Sequence, residues 1–302
     1  MAITLKQLQV FVAVAQTGNV TQAAGHIALS QPATSQALAE LEDQINLKLF
    51  DRIGKKLVLN DDGRKLYPKA LALLDGARDF EQRDETVNLR IGASTTIGNY
   101  VLPGLIGNFI ARSPGSHLEL SVGNTRDVIE AIHNFQVDFG FVEGQCLDPA
   151  IETAIWRQDE LVVFSAPDHP LAQKQNLTAT DLASARWVLR ERGSGTREVL
   201  EHLLGQHVTL AQPVLDLGNS EAIKRVVTSG VGISCLSREV VGEALRSKRL
   251  VELPTPFLTL TRPLFVLRHR QKYMSDGMRR FLRWCGADGS VTQTSGEAAH
   301  QS

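Results

Sequence analysis

Apolar positions in the first 45 residues recur at helical spacing and fall into three short groups. The pattern predicts three helices, over residues 5–17, 20–27 and 31–44. Thr4 and Ser30 stand where N-caps of the first and third helices are needed. Small residues at Ala23 and Ala24 allow the second helix to cross its neighbours closely. Three short helices joined by tight turns indicate an all-α module at the N-terminus.

The outward face of the third predicted helix carries short polar side chains without charge, where a solvated helix would normally show Glu and Lys. The residues on this face are Ser30, Gln31, Thr34, Ser35 and Gln36. Glutamine can pair with adenine through two hydrogen bonds, and hydroxyls contact phosphates or base edges. Pro32 suits the opening turn, and a helix N-terminus favours phosphate. The pattern therefore predicts a helix-turn-helix that binds DNA.

A basic hairpin is predicted over residues 51–59, directly after the third helix. Gly54 supplies the turn, and Arg52, Lys55 and Lys56 cluster at its tip, where they can contact flanking phosphates. A solvated helix or hairpin is the alternative for each piece alone. Their order and spacing together favour a winged helix-turn-helix over residues 1–60.

A connector helix is predicted over residues 61–82, followed by a polar hinge to residue 86. Its apolar positions are spaced by 4, 3, 4 and 3 residues, as in a heptad seam, and are Leu66, Ala70, Leu73, Ala77 and Phe80. Further apolar residues widen this stripe, so packing on the first helix of the N-terminal module stays open beside dimerisation.

From residue 87 the pattern changes to alternating strands and helices, which predicts an α/β domain to residue 288. The order of elements favours two doubly wound lobes with a ligand cleft at the carboxyl ends of the strands. Residues 289–302 are small and polar and are predicted to be disordered.

Polar loops that follow the predicted strands supply the candidate ligand groups. In the first of them, hydroxyls stand beside a helix N-terminus, which makes an anion site. The candidates are Ser94, Thr95, Thr96, Asn124, Glu143, Arg192, Ser194 and Thr196. The glycine-rich loop over residues 190–197 lacks the Lys-Ser/Thr of a phosphate loop, so a Walker NTPase is not indicated. The alternative that these hydroxyls only cap helices stays open.

Several motifs resemble the LysR-type transcriptional regulators, and the resemblance covers almost the whole chain. They are Thr21-Gln22-Ala23-Ala24, Leu29-Ser30-Gln31-Pro32-Ala33-Thr34-Ser35, Leu49-Phe50-Asp51-Arg52 and Leu59-Asn60-Asp61-Asp62-Gly63. The resemblance adds Thr21 and Pro32 to the expected DNA-binding residues. Thr34 departs from the family pattern, where a Val or Leu is more common, and a changed base preference is expected from it.

The resemblance implies a sensor domain similar to periplasmic binding proteins, with lobe I over 88–161 and 267–285 and lobe II over 162–266. It also implies a homodimer or homotetramer that binds dyad-symmetric double-stranded DNA, with RNA polymerase open as a further partner. The loops at 93–100 and 190–197 look like the branch that governs carbon dioxide fixation and sulfur assimilation. A small oxyanion is therefore the expected effector, and a phosphorylated or carboxylate metabolite is the alternative.

Charge and composition exclude other classes of protein. The formal net charge of -1 argues against a protein that coats nucleic acid nonspecifically. The three cysteines are widely spaced, so free thiols are expected rather than disulfides, a zinc site or another cofactor. Neither a signal peptide nor a membrane-length apolar run is present, which predicts a cytoplasmic protein with no membrane partner.

An enzyme and a transport binding protein are the alternatives to a regulator. An enzyme would need a nucleophile–base pair or a metal cluster, but the histidines are scattered and neither HExxH nor GxSxG occurs. His169 is expected to cap a loop rather than bind a metal. A transport binding protein accounts for the lobes but not for the N-terminal module.

Overall fold

The chain divides into two units, which we describe separately from a computed structural model. The first comprises Met1–Glu85 with Arg270–Arg279, and the second comprises Thr86–His269 with Arg280–Ser302. The structure describes residues 2–81, 86–208 and 213–287. Residues 83–85 of the predicted hinge and the predicted disordered tail lie outside the described residues.

The first unit is a winged helix-turn-helix followed by a long helix, as predicted. Its helices and strands are α1 (Leu5–Thr17), α2 (Val20–His26), α3 (Gln31–Ile45), β1 (Phe50–Ile53), β2 (Lys56–Leu59) and α4 (Asp61–Glu81). The helix starts follow the predicted caps, since Thr4 and Ser30 each accept a backbone hydrogen bond from the helix they open, and Asn19 does the same for α2. The core centres on Phe11, whose ring meets Phe50 and Tyr67 edge-on.

The first half of α4 packs into this core. Gly63 lies so close to the chain that an added Cβ would stand 2.1 Å from the carbonyl oxygen of Leu49. Ala70 is consequently buried and Leu66 half-buried against α1, so these two predicted seam positions face the core of their own module. The sequence had placed residues 270–279 in lobe I. In the structure this segment packs on α4 instead, where Lys272 donates to Asp75 at 2.6 Å.

The second unit alternates strands and helices. Its strands are β3 (Asn88–Ser94), β4 (His117–Gly123), β5 (Phe139–Val142), β6 (Ile151–Ser165), β7 (Val188–Arg190), β8 (Leu215–Leu217), β9 (Ser234–Ser237), β10 (Val251–Glu252) and β11 (Thr261–His269). Its helices are α5 (Leu102–Arg112), α6 (Thr125–His133), α7 (Ala179–Ser184), α8 (Gly195–Gly205), α9 (Ser220–Thr228), α10 (Arg238–Arg246) and α11 (Asp276–Trp284). The last of these begins in the first unit and ends in the second. A π-helical turn, Ile97–Val101, leads into α5.

Two long antiparallel strands, β6 and β11, run through both lobes. The main sheet has the order β10-β6-β11-β5-β3-β4, with β9 also pairing β6. In lobe I, β3 is parallel to both β4 and β5, so their carboxyl ends share one edge. In lobe II, β7 is parallel to β8, and an isolated bridge from Trp187 to Ile233 joins this pair to β9. Polar loops of both lobes therefore converge where the strands end.

The three cysteines, Cys146, Cys235 and Cys285, are free thiols, as predicted. Burial raises the pKa of Cys235 and of Cys285 to about 12, so these two thiols stay protonated. Cys146 is only half-buried, unlike the other two. None of the described helices has the length and hydropathy to span a bilayer.

Candidate DNA-binding surface and effector cleft

The first two turns of α3 present most of the predicted polar face to solvent. Gln31, Ser35 and Gln36 are exposed, together with the cap residue Ser30 and with Pro32. The Ser30 hydroxyl accepts from the Ala33 amide at 3.3 Å and so fixes the first turn. The Gln36 amide donates to Glu40 at 2.8 Å, a carboxylate that the sequence analysis did not place on this face. The surface offers hydroxyls and amides at the end of α3 that enters a groove in helix-turn-helix proteins.

Thr34 does not belong to this face, contrary to the prediction. It stands four residues before Leu38, and both side chains point into the module core. Thr34 is completely buried, and its hydroxyl donates to the Ser30 carbonyl at 3.0 Å. Because the position is buried, it suits the Val or Leu of the family pattern. A buried Thr34 cannot contact bases, so the expected change in base preference no longer follows.

The wing is a two-stranded hairpin with its basic residues at the tip. The strands pair from Phe50 with Leu59 to Ile53 with Lys56, and Gly54 turns between them with a φ of +62°. Arg52, Lys55 and Lys56 are exposed, and none of them forms an ion pair with any residue that the structure describes. Thr21 is exposed in the first turn of α2. The three basic side chains at the wing tip can therefore contact phosphates.

The second half of α4 exposes large apolar side chains. Leu73 is 59% exposed and Phe80 is 88% exposed, whereas Leu74 on the neighbouring stripe is buried. Ala77 lies between the two exposed residues and is half-buried. Two large exposed apolar groups seven residues apart form one stripe of the helix, which is typical of a protein contact.

In lobe I, hydroxyl groups end the central strand. Ser94 and Thr96 are buried, and among the described residues neither side-chain oxygen has a hydrogen-bond partner. Glu143 follows β5, which pairs with β3 through Ala93 and Phe141. Its carboxylate is buried, with one oxygen 3.5 Å from the Thr125 hydroxyl and the other lacking a described partner. Burying such groups without partners costs free energy, so they mark the place where a ligand would be held.

In lobe II, the N-terminus of α8 faces this loop of lobe I. A Cβ added at Gly195 would stand 2.8 Å from both the Gly144 nitrogen and the Thr125 hydroxyl, so the two lobes touch closely here, and the glycine leaves room for the contact. Ser194 is the buried N-cap of α8, but its side chain makes no capping hydrogen bond. The first N–H groups of a helix have no partners within it. The structure thus brings Glu143, Ser194 and Thr196 into one region.

Other predicted ligand groups already have partners. The Thr95 hydroxyl donates to the Gly123 carbonyl at 3.0 Å and accepts from Arg190 at 3.1 Å. Asn124 caps α6 by accepting from the Asp127 amide at 3.0 Å. Arg192 is exposed. The geometry therefore supports structural roles for Thr95 and Asn124 rather than contact with a ligand.

Three buried polar residues of lobe II were not among the predicted ligand groups. Arg190 and Arg262 are buried guanidinium groups that bond to Thr95 and Thr196 respectively. Ser220 opens α9, and its buried hydroxyl has no partner among the described residues. The only sequence signal was that Arg190 and Ser220 lie next to loops after strands, while Arg262 lies within a strand.

The buried arginines are held by carboxylates. Burial works to raise the pKa of Glu191, but its hydrogen bonds and charge interaction with Arg190 outweigh burial and lower that pKa. Burial likewise works to lower the pKa of Arg197, yet its bonds to Glu201 and Asp216 raise it. Each of these two arginines therefore has its charge balanced by a neighbouring carboxylate. His169 caps a 3₁₀ turn by accepting from the Leu171 amide at 3.2 Å, as predicted, and burial lowers its pKa.

Comparison with known proteins identifies both parts of the chain. Residues 5–64 match the family of bacterial regulatory helix-turn-helix proteins, lysR family. Residues 82–289 match the LysR substrate binding domain. The two matches divide the chain between a DNA-binding module and a ligand-binding domain.

Three similar proteins cover most of this chain. The uncharacterized HTH-type transcriptional regulator YeiE of Escherichia coli K12 is 50% identical, over 94% of this chain and 98% of that protein. The RuBisCO operon transcriptional regulator of Allochromatium vinosum is 32% identical, over 93% and 95%. The regulatory domain of CcmR from Synechocystis PCC6803, solved in complex with 2-PG, is 30% identical with a TM-score of 0.62, over 69% and 98%.

Proposed function

The chain belongs to the LysR family of transcriptional regulators, and we propose that its binding to dyad-symmetric DNA responds to a small oxyanion held between the two lobes. In this proposal the effector changes the relative populations of open and closed lobes and performs no chemical step. The α3 face reads the DNA bases and the wing contacts the flanking phosphates. The second half of α4 joins two chains in a homodimer, on which a homotetramer can be built.

The observation that carries the effector proposal is the set of buried, unpartnered oxygens of Ser94, Thr96 and Glu143. Two of the three belong to hydroxyls that can donate to an oxyanion, and Ser194 and Thr196 face them from lobe II. Glu143, when ionised, repels a highly charged ligand. The set therefore favours a singly charged or protonated oxyanion of a few heavy atoms over a large apolar ligand.

A phosphorylated or carboxylate metabolite is the second candidate, because the CcmR regulatory domain was solved in complex with 2-PG. Calorimetry of the full chain against sulfate, sulfite, thiosulfate, phosphate and 2-phosphoglycolate separates the two candidates. Binding of an inorganic oxyanion supports the first, and binding of 2-phosphoglycolate alone supports the second. Heat from none of these anions would contradict the proposed ligand class.

Gln31→Ala is expected to relax sequence preference, because Gln31 is exposed in the first turn of α3, where side chains reach base edges. The expected cost is about 1–3 kcal/mol of binding free energy at one base pair per half-site. Mobility-shift titrations with a selected duplex and with random duplex measure this difference. An equal loss on both duplexes would remove Gln31 from base recognition.

Lys55→Ala provides the matched control on the same module. Lys55 is exposed at the wing tip, so its loss should weaken binding to both duplexes and flatten the salt dependence by about one unit of log–log slope per monomer. A salt slope equal to that of the unmodified chain would show that Lys55 does not contact phosphate.

Leu73→Glu is expected to shift the chain toward monomer. Leu73 is 59% exposed in one chain, so a carboxylate costs little there, whereas in a dimer seam it would be buried without a partner. Sedimentation across a concentration series measures the change. Arg78→Ala is the control, because Arg78 is exposed and lies about 140° around α4 from Leu73. A Leu73→Glu chain with the mass of the unmodified protein would exclude the seam.

A further inference from the structure

A buried charge network lies where β6 and β11 cross between the lobes. Arg262 on β11 stands opposite Asp159 on β6 and is only 1% exposed. Its Nε donates to Asp159 Oδ2 at 2.8 Å, and the Ser237 hydroxyl donates to Asp159 Oδ1 at 2.7 Å. The carboxylate thus balances the charge of the guanidinium.

The same guanidinium reaches the N-terminus of α8. Arg262 Nη1 donates to the Thr196 hydroxyl oxygen at 2.9 Å. Thr196 is buried and directly follows Gly195, the residue at which lobe II touches lobe I. Because the hydroxyl accepts from a cation, its own proton points away from Arg262 and becomes a stronger donor.

We propose that Arg262 is a positioning residue that sets ligand specificity, by making Thr196 a hydrogen-bond donor to the effector. This inference rests on the proposed oxyanion site and assigns a role to a residue that lies within a strand. The Thr196 hydroxyl then selects a ligand that accepts a hydrogen bond and discriminates against one that donates. Since Asp159 neutralises Arg262, the cleft gains a polarised donor without gaining net charge.

A second threonine–arginine pair, Thr95 with Arg190, differs from Thr196 with Arg262 in where the hydroxyl proton is donated. Thr95 accepts from Arg190 but donates to the Gly123 carbonyl, so its proton is already used within the protein. For Thr196, the structure describes a bond that it accepts but not one that it donates. Of the two hydroxyls polarised by a buried arginine, Thr196 is therefore the one that can serve a ligand.

A double-mutant cycle tests the proposal, with affinity measured by calorimetry on the full chain for phosphate, which is partly singly charged near neutral pH, and for 2-phosphoglycolate. Thr196→Val and Arg262→Lys should each weaken anion binding about tenfold, because one charge-assisted hydrogen bond is lost. The double variant should also lose about tenfold rather than about a hundredfold, because both changes remove the same bond. Thr196→Ser keeps the hydroxyl and should bind nearly as the unmodified chain does.

Two further variants keep the test decisive. If urea titrations show that Arg262→Lys does not fold, the double variant Asp159→Leu with Arg262→Met takes its place in the cycle. This double variant removes both charges together, so neither is left buried alone. Arg268→Lys changes an arginine on the same strand that pairs with Glu152, and it should leave anion affinity unchanged.

Additive losses in the cycle would overturn the proposal, because Arg262 would then act independently of Thr196. Unchanged affinity in Thr196→Val would overturn it as well. Both results differ from the failure of the proposed function, in which neither anion binds the unmodified chain and the inference falls with it.

Discussion

Replacing Arg262 with Met is expected to lower the free energy of unfolding of the second unit by about 3–5 kcal/mol, because the Asp159 carboxylate is left buried without its partner. Asp159 is itself buried, and its only remaining described side-chain bond would come from the Ser237 hydroxyl. Urea unfolding followed by circular dichroism measures the loss.

The control for this prediction is the double variant Asp159→Leu with Arg262→Met. Burying two apolar side chains in place of an ion pair is often neutral or stabilising, so most of the lost stability should return. The Ser237 hydroxyl keeps one described bond in the double variant, which it accepts from the Glu239 amide at 3.2 Å. If the single variant were as stable as the unmodified chain, or the double variant less stable than the single one, the assigned energetics would be wrong.

Gly195→Ala is expected to weaken anion binding in the cleft, because the bound anion requires the lobes to close on each other. The added Cβ would stand 2.8 Å from the Gly144 nitrogen and 3.1 Å from the Glu143 carbonyl carbon, both backbone atoms of the opposite lobe. An overpacked contact of this kind costs about 1–3 kcal/mol, all of it in the closed arrangement of the lobes. The closed population therefore falls about 5-fold to 150-fold, while each lobe keeps its own core.

Gly205→Ala is the matched control, since it changes a glycine of the same helix whose added Cβ would meet nothing within 4 Å. Anion titrations of both variants by calorimetry, with urea unfolding to confirm the fold, measure the difference. Anion affinity in Gly195→Ala equal to that in Gly205→Ala would show that the contact at Gly195 does not control closure.

The sequence predicted the N-terminal module well because its signals are local. Caps, turn glycines and the spacing of apolar residues act within a few positions, and the ends of α1, α2 and α3 follow them closely. The errors there concern which face a residue occupies. Thr34 shares the inward face of Leu38, and Leu66 and Ala70 lie on the half of α4 that packs on α1.

The cleft was harder to predict because its partners are distant in the sequence. Ser94, Thr96 and Glu143 were found because polar residues after strands are a local pattern. Arg262 lies 66 positions from Thr196 and 103 from Asp159 and occupies a strand interior, so no local signal connects the three residues. The hydrogen bonds of Thr95 to Gly123 and Arg190 likewise join residues that are distant in the sequence, so they could not be predicted from it.

The central claim is that an anion in the cleft changes how the chain binds DNA. The measurement that tests it most directly is fluorescence anisotropy of a duplex selected by the full chain, titrated with and without sulfate, phosphate or 2-phosphoglycolate. The account predicts that one of these anions shifts the DNA affinity of the unmodified chain. Thr96→Val, which removes a buried unpartnered hydroxyl, should keep the anion-free affinity and lose that shift. An equal shift in both proteins, or a shift in neither, would contradict the account.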